Sequence, residues 1–368
     1  MLLLKKPIIW SLALLLSLSL LSALIGVAYW KNLLSKPIHN QGDKVYELKS
    51  GSSVNQVLLE LEQQQVISEV WPIKVLIKLY PEQGLIKAGE YLIPSGINSY
   101  QLLTLLSSGQ SIQYQITLVE GWTFAQVLKL IQQHPKLDIK TQALTNTEIM
   151  TKISGLPPAQ VPHPEGQIFP DTYQFQKGVT DLELLTWAYK KMQRVLEEEW
   201  EKADHKALPY RSAYEALIMA SIVEKETAIA AERARIAGVF VQRLEKNMRL
   251  QTDPTVIYGL GDRYLGNITR RHLNEKTPYN TYRINGLPPT PIALAGREAI
   301  HAALHPLKEG DLYFVAKGDG SHVFNRSLEA HNRAVRHYQI NQRRKNYQSS
   351  PEFKVPTEIL DNSSQPLQ

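Results

Sequence analysis

From Ile8 to Trp30 the chain runs for 23 residues without a charged side chain, in a stretch dominated by Leu, Ile and Ala with scattered Ser. The hydrocarbon core of a bilayer, about 30 Å thick, needs roughly 20 helical residues, so this segment is long enough to cross one. Trp10, Tyr29 and Trp30 are placed to sit at the two interfaces. Lys5 and Lys6 favour a cytoplasmic N-terminus, which puts everything after Trp30 outside the cytoplasm; Lys31 and Lys36 weaken that asymmetry. A cleaved signal peptide is the alternative, with Ala23 or Ala28 as a poor small-residue site, but its apolar region is normally about 7–15 residues. The expectation is an uncleaved single-pass anchor in the cytoplasmic (inner) membrane, carrying a periplasmic or otherwise extracytoplasmic body.

Charge narrows the partners of that body. The formal net charge is +6, but the first 36 residues hold four lysines and no Asp or Glu. Setting those four aside leaves 37 basic against 35 acidic residues, a net of only +2. A nearly neutral body argues against nucleic acid, and the run Arg343-Arg344-Lys345 reads as a solvated helix end. The chain has no cysteine, which removes disulfides, a lipoprotein anchor and thiolate metal sites. With 43% hydrophobic and 21% charged residues over 368 positions, the chain is globular and has room for more than one domain.

Pattern divides it into four parts: residues 1–36 as N-terminus and anchor, 37–112 as a small module, 113–345 as a larger domain and 346–368 as a flexible tail. The fold class is α+β throughout. In the module, after a polar linker at Asn40–Asp43, Val45–Leu48 reads as a strand and Lys49–Ser52 as a turn. Val54–Gln63 and Trp71–Tyr80 read as helices, Gly89–Pro94 as a closing strand and Tyr100–Leu106 as a further helix. This order resembles a LysM-like glycan-binding module, and a small α+β spacer is the equal alternative. Further on, Ile116–Val119 begins a strand and Phe124–Gln133 a helix. Glu165–Tyr173 is a Gly/Pro-punctuated loop, and Leu182 to about His205 is a long charged helix. Ser212 opens another helix with Glu215 three residues on, the spacing of a capping box. Ala230–Lys246 carries Ile236, Val239, Phe240 and Leu244 at helical spacing. Beyond Met248 the sequence is loop-rich, until Tyr313–Ala316 and His322–Asn325 form a β-hairpin. A final helix runs from Leu328 to about Arg344.

The helix opened by Ser212 carries the most telling chemistry. Leu217 to Val223 is apolar but for Ser221, and Glu224-Lys225-Glu226-Thr227 closes it. A carboxyl group on an apolar face is costly to ionise, so its pKa rises. A carboxylic acid that keeps its proton near neutral pH is what general-acid chemistry needs. Two surface glutamates at a solvated helix end are the ordinary alternative. Two residues apart means about 200° around the axis, so only one of the pair faces a given cleft. Glu226 continues the Met219, Ile222, Val223 stripe and Glu224 continues Leu217, Ala220, Ser221; periodicity does not choose between them.

Four linked motifs go further: Ser221-Ile222-Val223-Glu224-Lys225-Glu226-Thr227, Arg249-Leu250-Gln251-Thr252-Asp253-Pro254-Thr255-Val256-Ile257-Tyr258-Gly259, Pro278-Tyr279-Asn280-Thr281-Tyr282 and Gly286-Leu287-Pro288-Pro289. They resemble the MltG (YceG-like) endolytic murein transglycosylases, as does the order of anchor, LysM-like unit and catalytic domain. The resemblance implies non-hydrolytic cleavage of the β-1,4 bond between N-acetylmuramic acid and N-acetylglucosamine in peptidoglycan, leaving 1,6-anhydro-muramoyl ends. Glycosidases generally flank the bond with two carboxylates. A lytic transglycosylase lets the sugar's own C6 hydroxyl attack C1, so one glutamate serves as acid and then base. The Glu226-Thr227 pair is similar to the Glu-Ser pair ending the catalytic helix of other lytic transglycosylases, which assigns Glu226 the proton transfer and leaves Glu224 in reserve. Asp253 is the nearest second carboxylate, or a turn or cap residue before Pro254. Gln251, Asp253, Thr255, Tyr279, Asn280 and Thr281 are the implied substrate-binding residues, offering the polar and aromatic groups that hold sugars. Each is also at home as a satisfied structural loop residue.

No cofactor is implied. His301 and His305 have the i, i+4 spacing of metal ligands, but no HExxH motif surrounds them and no further ligand is nearby, so no metal is expected. Gly318-Asp319-Gly320 suits a hairpin turn better than a phosphate loop, Gly259 to Gly266 lacks dinucleotide spacing, and Ser221 has no nucleophile-elbow context. The resulting expectation is a membrane-anchored enzyme acting on peptidoglycan glycan strands, nascent ones included, beside peptidoglycan synthases. The alternatives are a muramidase that uses water and a non-catalytic glycan-binding scaffold.

Overall fold

The computed structural model describes residues 5–38 and 42–341. The basic run at Arg343–Lys345 and the tail from 346 lie outside the described residues, as does part of the Asn40–Asp43 linker. The chain forms two compact units, one built on residues up to Gln113 and one on Tyr114–Phe175 with the chain from Val179 onward.

The first unit begins with α1 (Lys5–Ser35). Its segment Ile9–Ser35 is long and apolar enough to cross a membrane, and none of it is buried over the most apolar window. Strand β1 (Lys44–Leu48) pairs antiparallel with β2 (Gly89–Ile93), Tyr46 opposite Tyr91. Between them lie α2 (Val54–Gln63) and α3 (Trp71–Leu79), and α4 (Ser99–Ser108) follows. These are the elements expected from the pattern, and their starts are chemically marked. Ser53 caps α2 in a reciprocal box with Gln56, and Asn98 caps α4 with Gln101. The core gathers Tyr46, Leu48, Leu58, Leu61, Ile73, Tyr91 and Leu103. This order of elements does not by itself assign glycan binding to the unit.

The second unit holds β3 (Gln113–Thr117), α5 (Phe124–Gln132), α6 (Asn146–Ser154), β4 (Thr172–Gln176) and α7 (Asp181–Lys202). Then come α8 (Ala213–Glu226), α9 (Ala230–Glu245), α10 (Asp253–Leu260), α11 (Arg270–Asn274) and α12 (Arg297–Leu304). Hairpin β5 (Tyr313–Ala316) and β6 (His322–Asn325) precedes α13 (Leu328–Val335), and a wider helical turn runs on to Asn341. Strand β3 pairs with β4, three residues earlier in sequence than the alternation at Ile116–Val119 suggests. Three helices, α10, α11 and α12, occupy the stretch that reads as loop. Asp253-Pro254 reads as a turn, yet Pro in the first turn starts a helix without losing a hydrogen bond.

Helix α8 is the centre of this unit, packed by α7, α9, α10 and α12. Residues Ala216 through Glu224 are buried without interruption, so the helix has no solvent face. Ser212 caps it by accepting from the Glu215 amide, but the Glu215 carboxylate takes the Arg211 amide instead of closing the expected box. Neighbouring α9 is approached closely by the loop after α12: a Cβ on Gly238 would lie 2.0 Å from the Leu307 carbonyl oxygen. Gly238→Ala is therefore expected to destabilise the unit by about 3 kcal/mol or more in urea unfolding, since a rigid backbone cannot give way; an unchanged midpoint would contradict this packing.

Candidate active site

The two glutamates that close α8 diverge as their 200° separation requires. Glu224 is 1% exposed and points into the protein, where its Oε2 accepts the Gly296 amide at 3.0 Å, one residue before α12. Glu120 crowds the same spot: a Cβ on Gly296 would lie 1.9 Å from its carboxylate. Burial, and then the nearby Glu120 charge, push the Glu224 carboxyl up to about 7. This carboxyl is enclosed.

Glu226 instead lines an open cleft of about 830 Å³. Half-buried at the last turn of α8, its Oε1 accepts the Thr252 hydroxyl. Burial raises its carboxyl to about 7; Asp253 adds to the rise, while the Thr252 hydroxyl and Arg243 oppose it. A carboxyl balanced there carries its proton for part of the time at neutral pH and can both give and take one.

The wall opposite is built on Thr252. Leu250 is fully buried, and Gln251 takes a left-handed backbone (φ +51) that turns the chain into the cleft. The Gln251 amide donates to the Thr281 carbonyl at 3.2 Å and the Thr252 amide to Thr281 Oγ1 at 3.1 Å. Thr255 Oγ1 lies 2.8 Å from both the Thr252 carbonyl and Thr281 Oγ1. Asn280 uses its amide nitrogen on the carbonyls of His272, Leu273 and Glu275, and its oxygen on the Tyr282 amide. Tyr279 meets Thr290 through its hydroxyl at 2.8 Å and Tyr258 edge to face.

Of the residues singled out from sequence, Glu226, Gln251 and Asp253 line the cleft. Thr255, Asn280 and Thr281 are at most 1% exposed and stand behind it, and Tyr279 packs on Tyr258. The structure adds lining residues that sequence reading passed over. Tyr282 donates to Asp253 Oδ1 at 2.7 Å, so Asp253, at the first turn of α10, orients a phenol over the cleft. Arg243 spends its guanidinium on the carbonyls of Leu312, Arg249 and Leu250 and lies 5.1 Å over the Tyr313 ring. Its signal was present in sequence: Ile236, Phe240 and Arg243 lie on one helical stripe, a charge where an apolar residue is due. Tyr264, Phe314 and His322 complete an aromatic lining, and Glu232 accepts both the His322 backbone amide and its Nδ1.

His301 and His305 do have a third potential ligand, correcting the sequence reading. Glu199 of α7 meets His301 Nδ1 at 2.9 Å, and the three donors fall within 4.8 Å of one another. Burial alone would raise the Glu199 carboxyl, but hydrogen bonds from His301, Lys202 and Arg297 together hold it at about 2. Two fixed cations already sit on this carboxylate, so the cluster is built as an ion-pair knot joining α7 to α12.

Residues 46–337 match the profile of the YceG-like family. The chain is 34% identical over 326 residues to the endolytic murein transglycosylase of Bacillus subtilis, covering 84% of this chain and 89% of that one. It is 28% identical over 321 residues to the endolytic murein transglycosylase of Streptococcus pneumoniae, 78% of this chain but 57% of that longer one. Its fold is similar to the crystal structure of a yceG-like protein from Listeria monocytogenes, with a TM-score of 0.51, 30% identity, and coverage of 80% and 100% of the two chains.

The enclosed carboxyl of Glu224 has a consequence for stability. Its folded value of about 7 lies above the ordinary 4.5, so the folded state holds the proton longer than the unfolded chain. The stability this contributes is complete below 4.5 and is lost as pH rises through 7. Thermal midpoints are expected to fall between about pH 5 and about pH 8, and to fall less for Glu224→Gln. An identical pH slope in the variant would contradict the burial argument.

Proposed function

Because this chain belongs to the YceG-like family, we propose that it is an endolytic murein transglycosylase whose proton-transferring group is Glu226. The observation that carries the assignment is the divergence of the two glutamates: the one in the cleft has room for a glycan, and the enclosed one has none. Protonated Glu226 gives its proton to the oxygen of the MurNAc–GlcNAc β-1,4 bond as the C1–O bond breaks. The C6 hydroxyl of the same muramoyl residue then attacks C1 and returns its proton to the carboxylate. Atoms balance without water, a 1,6-anhydro end forms, and Glu226 is again an acid. A carboxyl near 7 suits both halves, since neither transfer is steeply uphill.

The remaining roles follow from where the side chains stand. Gln251 and Asp253 face the substrate, with Tyr282 oriented by Asp253. Thr255 and Thr281 act from behind by holding Thr252, whose hydroxyl aims Glu226, while Asn280 ties its loop to the α11 turn and to the Tyr282 amide and Tyr279 packs on Tyr258. Arg243 sets the opposing charge: it keeps the carboxyl from rising further and stabilises the carboxylate after the first transfer. Helix α1 serves as the single-pass anchor, with the N-terminus cytoplasmic and both units extracytoplasmic. Such an anchor keeps the cleft near newly exported strands, where peptidoglycan synthases work, and contact with them belongs to the same proposal.

Glu226→Gln is expected to reduce release of anhydro-muropeptides from peptidoglycan by about 100-fold or more, since a lost general acid typically costs that much, while the thermal midpoint does not fall, because the neutral amide carries no buried charge. Glu224→Gln should keep activity. Mass spectrometry separates the anhydro product from a reducing end one water heavier. Wild-type digestion by Glu226→Gln, or reducing ends as the main product, would sink the assignment.

A further inference from the structure

Helix α3 is apolar on two faces, and only one is buried. Pro72, Ile73 and Leu76 face the core of the first unit. Trp71, Val75 and Leu79, spaced four apart, form a second stripe left 46%, 39% and 59% exposed. Tyr80 and Leu85, beyond the helix, are 52% and 69% exposed; exposed Lys74 and Lys78 flank the stripe, and the Trp71 indole N–H donates to the Glu69 carboxylate at 2.6 Å at its start. An exposed apolar stripe rimmed by charged residues marks an interaction site more often than chance exposure.

Helix α1 says what lies against it. Most of α1 is bare, but Leu34 in its last turn and Ile38 just beyond it are buried in the unit's core. Trp30 Nε1 donates to the Pro72 carbonyl at 2.9 Å. At 1.5 Å per residue, Ile9 to Trp30 covers about 32 Å, close to the hydrocarbon thickness of about 30 Å. Pro72, in the first turn of α3, is thus pinned where the span reaches the headgroups. Trp, Tyr and Lys are the residues favoured at that depth.

We infer that α3 is an interfacial helix: its Trp71–Val75–Leu79 stripe lies in the headgroup–acyl boundary and Lys74 and Lys78 meet anionic headgroups. The inference rests on the anchor reading of α1 and extends it from a tether to a unit seated on the bilayer. A glycan fits the stripe less well, because Val75, Leu79 and Leu85 offer sugars no hydrogen bonds. The occupant is the lipid surface.

The chain has no cysteine, so any introduced one is unique. Nitroxide labels at Val75→Cys and Leu79→Cys, in full-length protein reconstituted into phosphatidylcholine–phosphatidylglycerol vesicles, report collisions with oxygen and with a water-soluble nickel chelate. Leu16→Cys is the reference inside the span, and Gln63→Cys, exposed on α2, the reference in water. The ratio of oxygen to nickel collisions at Val75→Cys and Leu79→Cys should be several-fold above that at Gln63→Cys. Ratios matching Gln63→Cys while Leu16→Cys lies in lipid would overturn this inference and leave the anchor standing. Nickel access at Leu16→Cys would remove the anchor, and this inference with it. Protection appearing only on adding glycan fragments would overturn it in favour of a sugar site.

Discussion

A helix with no solvent face has to do something with any charge it carries, and α8 carries two carboxyls at its end with Lys225 between them. Nine consecutive residues, Ala216 through Glu224, are buried among α7, α9, α10 and α12. Desolvation is the leading cause of the raised carboxyl at both Glu224 and Glu226. The unit resolves the cost in two ways. At Glu224 it closes over the carboxyl with the Gly296 amide, and at Glu226 it leaves the carboxyl beside a cleft. The same physical cause therefore yields one structural group and one group open to chemistry.

Around Glu226 the structure balances opposed influences. Asp253 favours the proton's staying, Arg243 and the Thr252 hydroxyl favour its leaving, and the outcome lies near neutrality. None of these groups is free to drift. Thr252 is held by Thr255 and Thr281, Asp253 by Tyr282, and Arg243 by three carbonyls. Polar residues buried behind the wall thus matter to the carboxyl without touching the space a substrate would fill. Preorganisation of this kind avoids rearranging the site at the moment charge moves.

Much of this was legible in sequence, and the gaps have physical reasons. The first unit's elements read well because Ser53 and Asn98 cap amphipathic helices and β1 alternates with period two. Helix α8 was visible, but its periodicity could not separate Glu224 from Glu226. A helix apolar all round has no stripe to follow, and only the packing of α12 and the loop before it gives its faces different surroundings. Helix α12 itself was missed because Pro288, Pro289 and Pro291 precede it and its eight residues are short. The motif residues were found as a group, yet sequence could not sort those that face the cleft from those behind it. Burial makes that distinction, and burial belongs to the fold. Glu199 joins His301 from about a hundred residues away, a distance no local spacing spans.

The central claim is that Glu226 holds its proton near neutral pH while facing an open cleft. The direct measurement is a carboxyl 13C titration of glutamate-labelled protein in a Glu224→Gln background, with the Glu226 signal assigned by its loss in Glu226→Gln. The account predicts a midpoint at about 7. A midpoint near the ordinary 4.5 would contradict it, since the helix end would then be solvated and the cleft would hold an ordinary carboxylate.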